Sequence, residues 1–91
     1  MNFEWDEPKN EANQRRHSLT FDDAALVFFD PVRRSVIDDR EDYGEERLTM
    51  YGHSGGRLLA VTYTMRGESV RIISARKVTK PERRKYENDE D

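Results

Sequence analysis

The sequence predicts a single α+β domain with the element order β-α-α-β-β-β-β-α, and three observations carry that reading. Residues 1–30 hold two helix-start signatures, Asp6-Glu7-Pro8 and Thr20-x-x-Asp23. Residues 47–77 fall into short runs of alternating apolar and polar side chains separated by glycine turns, the pattern of an antiparallel meander. A further box, Thr79-x-x-Glu82 with Pro81 inside the first turn, opens a short terminal helix.

The elements follow in order. Phe3-Glu4-Trp5 alternates large apolar with polar and predicts a short first strand. A helix over residues 8–17 comes next, and Ala12 is its only apolar side chain beyond the opening proline, so it is expected on the surface or against something polar. Lys9, Asn13 and His17 share one stripe of it, facing solvent, a phosphate or a partner. Phe21, Ala24, Ala25 and Phe28 recur at spacings of three and four, predicting an amphipathic helix over residues 20–29 that Asp30-Pro31 ends. Phe28, Leu26 or Val27, and Trp5 are expected to supply one wall of the core.

Residues 34–38 read as a strand around Val36 and Ile37, followed by a polar loop over residues 39–45. In the next strand, residues 47–53, Leu48 and Met50 face one way and Arg47, Thr49, Tyr51 and His53 the other. Ser54-Gly55-Gly56 turns the chain into residues 58–65, and Arg66-Gly67-Glu68 turns it into residues 69–77. The last helix is expected to end near Tyr86, leaving 87–91 as a disordered acidic tail on a domain of residues 1–86. All helices are expected against one sheet face.

Composition narrows the function. Only 34% of the 91 residues are hydrophobic and 38% are charged, so the core is small and the surface highly charged. Net charge is −3, but its distribution is two-sided: residues 66–85 carry eight of the 16 cations and only two acids, while residues 1–46 carry thirteen acids. A local cation cluster attracts a polyanion even on an acidic protein. No run approaches the roughly 20 apolar residues of a membrane span, and the start MNFEWDEPK lacks the basic and apolar segments of a secretion signal, so a cytoplasmic location and no membrane partner are expected. Zero cysteines remove disulfides and thiolate ligands, and two histidines 36 residues apart give no metal motif, so neither metal nor other cofactor is expected.

With no cysteine and no serine elbow, the chemistry left is proton transfer with electrostatic stabilisation. Cleaving RNA in that way needs a base for the 2′-hydroxyl, cations for the phosphate and an acid for the leaving oxygen. Arg76, ending the last strand, is the strongest candidate for the phosphate, with Arg47 on the Tyr51–His53 strand face as a second cation. His53 or Glu46 are the candidate bases. Lys77 and Lys80 follow Arg76 closely, and Tyr63 and Tyr86 are candidates to stack on a base or to pack in the fold.

A family resemblance runs through the same residues. Phe3-Glu4-Trp5-Asp6, Asn13, His17 and Thr20-Phe21-Asp22-Asp23-Ala24 resemble the start of the BrnT family of toxins from bacterial type II toxin-antitoxin modules. Asp42-Tyr43-Gly44-Glu45-Glu46-Arg47, Gly56-Arg57-Leu58-Leu59, Arg71-Ile72-Ile73-Ser74-Ala75-Arg76-Lys77 and Glu82-Arg83-Arg84-x-Tyr86 are similar to that family's later motifs. The resemblance implies a RelE-like ribonuclease fold and cleavage of RNA that arrests translation and growth. It also implies neutralisation by a BrnA-type ribbon-helix-helix antitoxin, in a heterotetramer that meets operator DNA only through the antitoxin. It places functional cations at Arg47, Arg57, Arg76 and Arg83; by position in the chain Lys77, Lys80 and Tyr86 join them as candidate RNA contacts. Ser18 departs from the glycine the family pattern puts after the histidine. The alternative reading is a non-catalytic module that binds protein or RNA through the basic C-terminal face.

Overall fold

The computed structural model describes residues 1–39, 42 and 44–89. Its elements are β1 (Asn2–Glu4), α1 (Glu7–His17), α2 (Phe21–Ala25), a 3-10 turn (Leu26–Phe29), β2 (Arg34–Asp38), β3 (Arg47–Ser54), β4 (Arg57–Arg66), β5 (Ser69–Lys77) and α3 (Lys80–Asp89). Of the loop expected over residues 39–45, positions 40, 41 and 43 lie outside the described residues, as do 90 and 91 of the expected tail. Residues 87–89 continue α3, so this helix runs past the predicted end at Tyr86. Among the described residues no helix is long and apolar enough to cross a membrane.

Among the described residues the sheet has five strands in the order β1-β5-β4-β3-β2. β2 to β5 form the expected antiparallel meander, but β1 lies parallel to β5, pairing Phe3 with Val70, so the sheet is mixed. The parallel strand follows from the route of the chain. α1, α2 and the 3-10 turn carry it from β1 at one edge to β2 at the other, and Phe3 then meets Phe28 edge-on at 5.3 Å.

The core lies between these helices and one sheet face. Leu19, Phe21, Ala24, Val27 and Phe28 close over Met50, Leu59, Val61, Tyr63, Val70, Ile72 and Ala75, with Trp5 packed at the border. Each large apolar side chain buried in this way contributes about 1.5–3 kcal/mol. The second helix tightens after Ala25, because Asp30 N–H closes on Val27 O and the chain must then enter Pro31. That tighter turn buries Val27 and Phe28 and leaves Leu26 and Phe29 exposed. Val27 packs so close to β3 that a Cβ at Gly52 would stand 2.9 Å from Val27 O.

α1 explains its own polarity. Asn13, buried, donates Nδ2–H to Leu19 O at 2.9 Å and accepts Ala75 N–H on Oδ1 at 3.0 Å. Asn10 accepts Phe21 N–H at 2.8 Å. The helix therefore satisfies the stretch of β5 edge that short β1 leaves open, which polar side chains do and apolar ones cannot. Asn13 is thus a structural residue and not part of a solvent-facing stripe. α1 ends at Ser18 in the left-handed region, φ 58°, with Ser18 N–H on Gln14 O. A serine fills the glycine role there.

The expectation that all helices share one face is overturned by α3, which lies on the other. Tyr86, 5% exposed, donates to Val32 O at 2.9 Å, and its ring meets His53. Leu58 and Ala60, buried but outside the main core, sit on this face by strand alternation. A bulge between Thr62 and Tyr63 also matters: Thr62 pairs with Ser74 but Tyr63 with Ile72. The extra residue brings Arg71 and Arg76 opposite Thr64 and Ala60, an even spacing, so the two arginines share a face that sequence parity alone would separate.

Candidate active site and RNA-facing groove

Antiparallel register lines up Arg34, Tyr51, Ala60 and Arg76 across β2, β3, β4 and β5. Ala60 is small, so nothing rises between Tyr51 and Arg76. α3 borders this row, because its N-terminal box closes as the sequence predicts: Thr79 N–H donates to Glu82 Oε1 at 2.9 Å and Glu82 N–H to Thr79 Oγ1 at 3.3 Å. The box fixes Glu82 over the sheet.

Arg76 then grips Glu82 with both arms of its fork, Nη1 to Oε1 at 2.7 Å and Nη2 to Oε2 at 2.9 Å. Tyr51 donates its hydroxyl to the same Oε2 at 2.9 Å. Hydrogen bonds from Arg76 outweigh the effect of burial, and with Thr79 and Tyr51 they hold the Glu82 carboxyl at about 2. A guanidinium and a phenol converging on one anionic oxygen form an anion site, here filled by a carboxylate of the same chain. The groove around it is lined by Arg34, Val36, Tyr51, Glu82, Lys85 and Tyr86, and opens onto a hollow reaching Thr49, Thr62, Arg76 and Asp38.

The sequence-predicted residues divide sharply around this groove. Arg76 lines the adjoining hollow and meets the groove through Glu82. His53 stands behind Tyr86, ring centroids 5.8 Å apart, with Nδ1 2.9 Å from Asp30 Oδ2 and its backbone N–H on the same oxygen at 2.7 Å. Burial opposes ionisation of Asp30, but these contacts with His53 prevail and keep its carboxyl below the usual carboxylate value. Glu46 lies before β3, at the opposite end from His53 and roughly 20 Å from it along an extended strand, so the two candidate bases cannot serve one phosphate together. Arg47 is on the groove face but four positions from Tyr51, with Nε 3.3 Å from Glu45 Oε2.

Arg57 points to the other side of the sheet, where it lies 3.7 Å from Asp23 of α2, because its parity on β4 is opposite to that of Ala60. It is not a groove residue. Arg83 faces solvent beside Glu87 at 3.8 Å. Lys77 and Lys80 are exposed at the end of β5 and the start of α3. Tyr86 and Tyr63 are packing residues: Tyr63 is 6% exposed, stacks edge-on against Phe28 at 4.9 Å and shares a hydrogen bond with Ser35.

Sequence reasoning missed Glu82 and Arg34 as groove residues. The capping box announced Glu82 only as a cap, and nothing local says that a cap also reaches across to Arg76. Tyr51 was legible as a neighbour of Arg47 and His53 by alternation, and the register supplies its partner. Among the described residues no group of three or more His, Cys, Asp or Glu is placed to hold a metal ion.

No curated protein matches the chain. A family model described as the ribonuclease toxin BrnT of type II toxin-antitoxin systems matches residues 5–82, from the border of the core through the whole meander to Glu82 itself. The chain therefore belongs to the BrnT family of ribonuclease toxins of type II toxin-antitoxin systems.

Proposed function

We propose that this chain is an endoribonuclease that cuts RNA without a metal ion, with the scissile phosphate bound where the Glu82 carboxylate now lies. The observation that carries this reading is the convergence of Arg76 and Tyr51 on one anionic oxygen in an open groove. In the reaction a base removes the 2′-hydroxyl proton, the 2′-oxygen attacks phosphorus, and the bond to the 5′-oxygen breaks as that oxygen takes up a proton. The products are a 2′,3′-cyclic phosphate and a free 5′-hydroxyl.

Arg76 stabilises the charge that builds on the phosphate oxygens, since its planar fork matches a pair of them. Tyr51 donates a hydrogen bond to the oxygen next to it. Arg34 and Lys85 raise the local potential along the groove. Of the two candidate bases, His53 fits better, because its ring is held by Asp30 and reaches Tyr86 at the groove wall, whereas Glu46 is at the far end of β3.

The wider role is cytoplasmic cleavage of RNA that halts translation and growth, relieved by an antitoxin. A BrnA-type ribbon-helix-helix antitoxin in a heterotetramer is the partner proposed, offering carboxylates to the same cations and carrying the operator contacts. Arg83 and Lys80 serve as its rim.

Sequencing the 5′ ends of RNA cut by the purified chain, with and without EDTA, tests the reaction. Equal cleavage in both conditions and cyclic-phosphate ends are expected. Abolition by EDTA overturns the mechanism, and salt-sensitive RNA binding with no cleavage favours a non-catalytic module.

A further inference from the structure

Arg76 borders two hollows. One is the groove that holds Glu82; the other is a cleft on the far side, lined by Arg16, His17, Ser18, Arg76, Lys77 and Thr79. Three separate elements build it: the C-terminal turn of α1, the end of β5 and the approach to α3. Lys80 opens α3 one residue beyond Thr79. Most of this charge is far apart in sequence, since Arg16 and Lys77 are brought together only because α1 lies along the β5 edge through Asn13 and Ala75.

Two features set this cleft apart from the groove on the other side of Arg76. Among the described residues no carboxylate lines it. Among the described residues, moreover, no carboxylate forms an ion pair with Arg16, Lys77 or Lys80, whereas Arg47, Arg57, Arg71, Arg76 and Arg83 are all paired. The backbone does not supply the recognition: α1 ends here in carbonyls, and Ser18 N–H is already bonded to Gln14 O. Any recognition here rests on the side-chain cations.

We propose that this cleft is a second phosphate subsite, which holds the RNA strand next to the scissile phosphate, with Arg16 and Lys77 as its principal contacts and His17 and Lys80 at its borders. The proposal rests on the reading of Arg76 as the scissile-phosphate residue. A strand with a phosphate at Arg76 carries further phosphates on either side, and of the two hollows that meet at Arg76 this is the one free of acidic side chains. RNA is favoured over an acidic peptide because the continuity runs through Arg76 itself.

The test uses the purified chain and fluorescent oligonucleotides of two to eight residues with 2′-O-methyl groups, which lack the attacking hydroxyl and are not cut. In the wild type, affinity should rise steeply with length once a strand reaches from Arg76 into the cleft. In Arg16→Glu/Lys77→Glu that rise should disappear, and the slope of log affinity against log salt should shrink by about 1.4, roughly 0.7 for each lost single-strand phosphate contact. Arg16→Gln/Lys77→Gln should lose less, and unchanged circular dichroism and melting establish that both variants fold. An unchanged length dependence and salt slope in the folded variants overturn the proposal. Wild-type RNA binding together with weakened antitoxin binding overturns it in favour of a protein-docking cleft. These readouts need no cleavage, so a chain that binds uncut strands through this cleft but does not cut RNA defeats the ribonuclease mechanism and leaves the subsite standing.

Discussion

Arg76 and Glu82, six residues apart around the turn from β5 into α3, form a two-armed ion pair at 2.7 and 2.9 Å in the place where the proposed reaction needs an RNA phosphate. The pair does two things at once. It anchors α3 on the open face of the sheet, and it keeps the Arg76 fork occupied.

Glu82→Gln separates those two roles. Glutamine keeps the helix cap but removes the charge that competes with phosphate. When only a fraction of molecules has the site open, the apparent affinity falls by that fraction. The variant should therefore bind uncut RNA up to about tenfold more tightly. Fluorescence anisotropy measures this, and a loss of both binding and cleavage would instead assign Glu82 a direct part in the reaction.

The same pair predicts an acid limit to stability. Glu82 has its pKa lowered from 4.5 to about 2 on folding, so its contribution is fully present above about 4.5 and is lost as pH falls towards 2. The upper bound is about 3 kcal/mol, and solvent screening at this partly exposed site reduces it to about 1–2 kcal/mol. Urea titrations from pH 6 to pH 2 should show a smaller loss in Glu82→Gln than in the wild type.

Arg76→Lys tests the fork. A lysine preserves the charge but not the two parallel hydrogen bonds. Cleavage should fall by about 100-fold or more, with a loss of about 1–3 kcal/mol in stability as Glu82 is left with Tyr51 and its own cap. Retained activity in Arg76→Lys would show that charge alone is needed and that the two-armed geometry belongs to the fold.

Asn13→Ala removes one donor and one acceptor from the interior, leaving Leu19 O and Ala75 N–H without partners. Destabilisation by about 2–4 kcal/mol is expected, a large fraction of what a domain this small possesses. Thermal melting gives the value, and amide exchange at Ala75 should accelerate.

Ser18→Gly should stabilise the chain by roughly 1 kcal/mol, because the left-handed conformation at φ 58° strains any side chain with a Cβ. A melting temperature that does not rise would mean that the hydroxyl makes up for the strain.

Local signals in the sequence determined the element order, the caps at Asp6, Thr20 and Thr79, the meander and the prominence of Arg76. Those signals act over a few residues, through dihedral preference, hydrogen bonding of helix ends and the period of apolar side chains. They also carried the family motifs, and with them membership of the BrnT toxins. Tertiary structure alone decided what the polar positions do. Asn13 seals the β5 edge, Tyr86 fastens α3, Arg57 turns to α2 and Glu82 fills the Arg76 fork. Arg16 joins Lys77 in one cleft for the same reason. A charged or amide side chain has no periodic signature of its own, and its partner is set by strand register and by the face on which a helix lands. One extra residue, between Thr62 and Tyr63's partners on β5, is enough to put Arg71 and Arg76 on the same face.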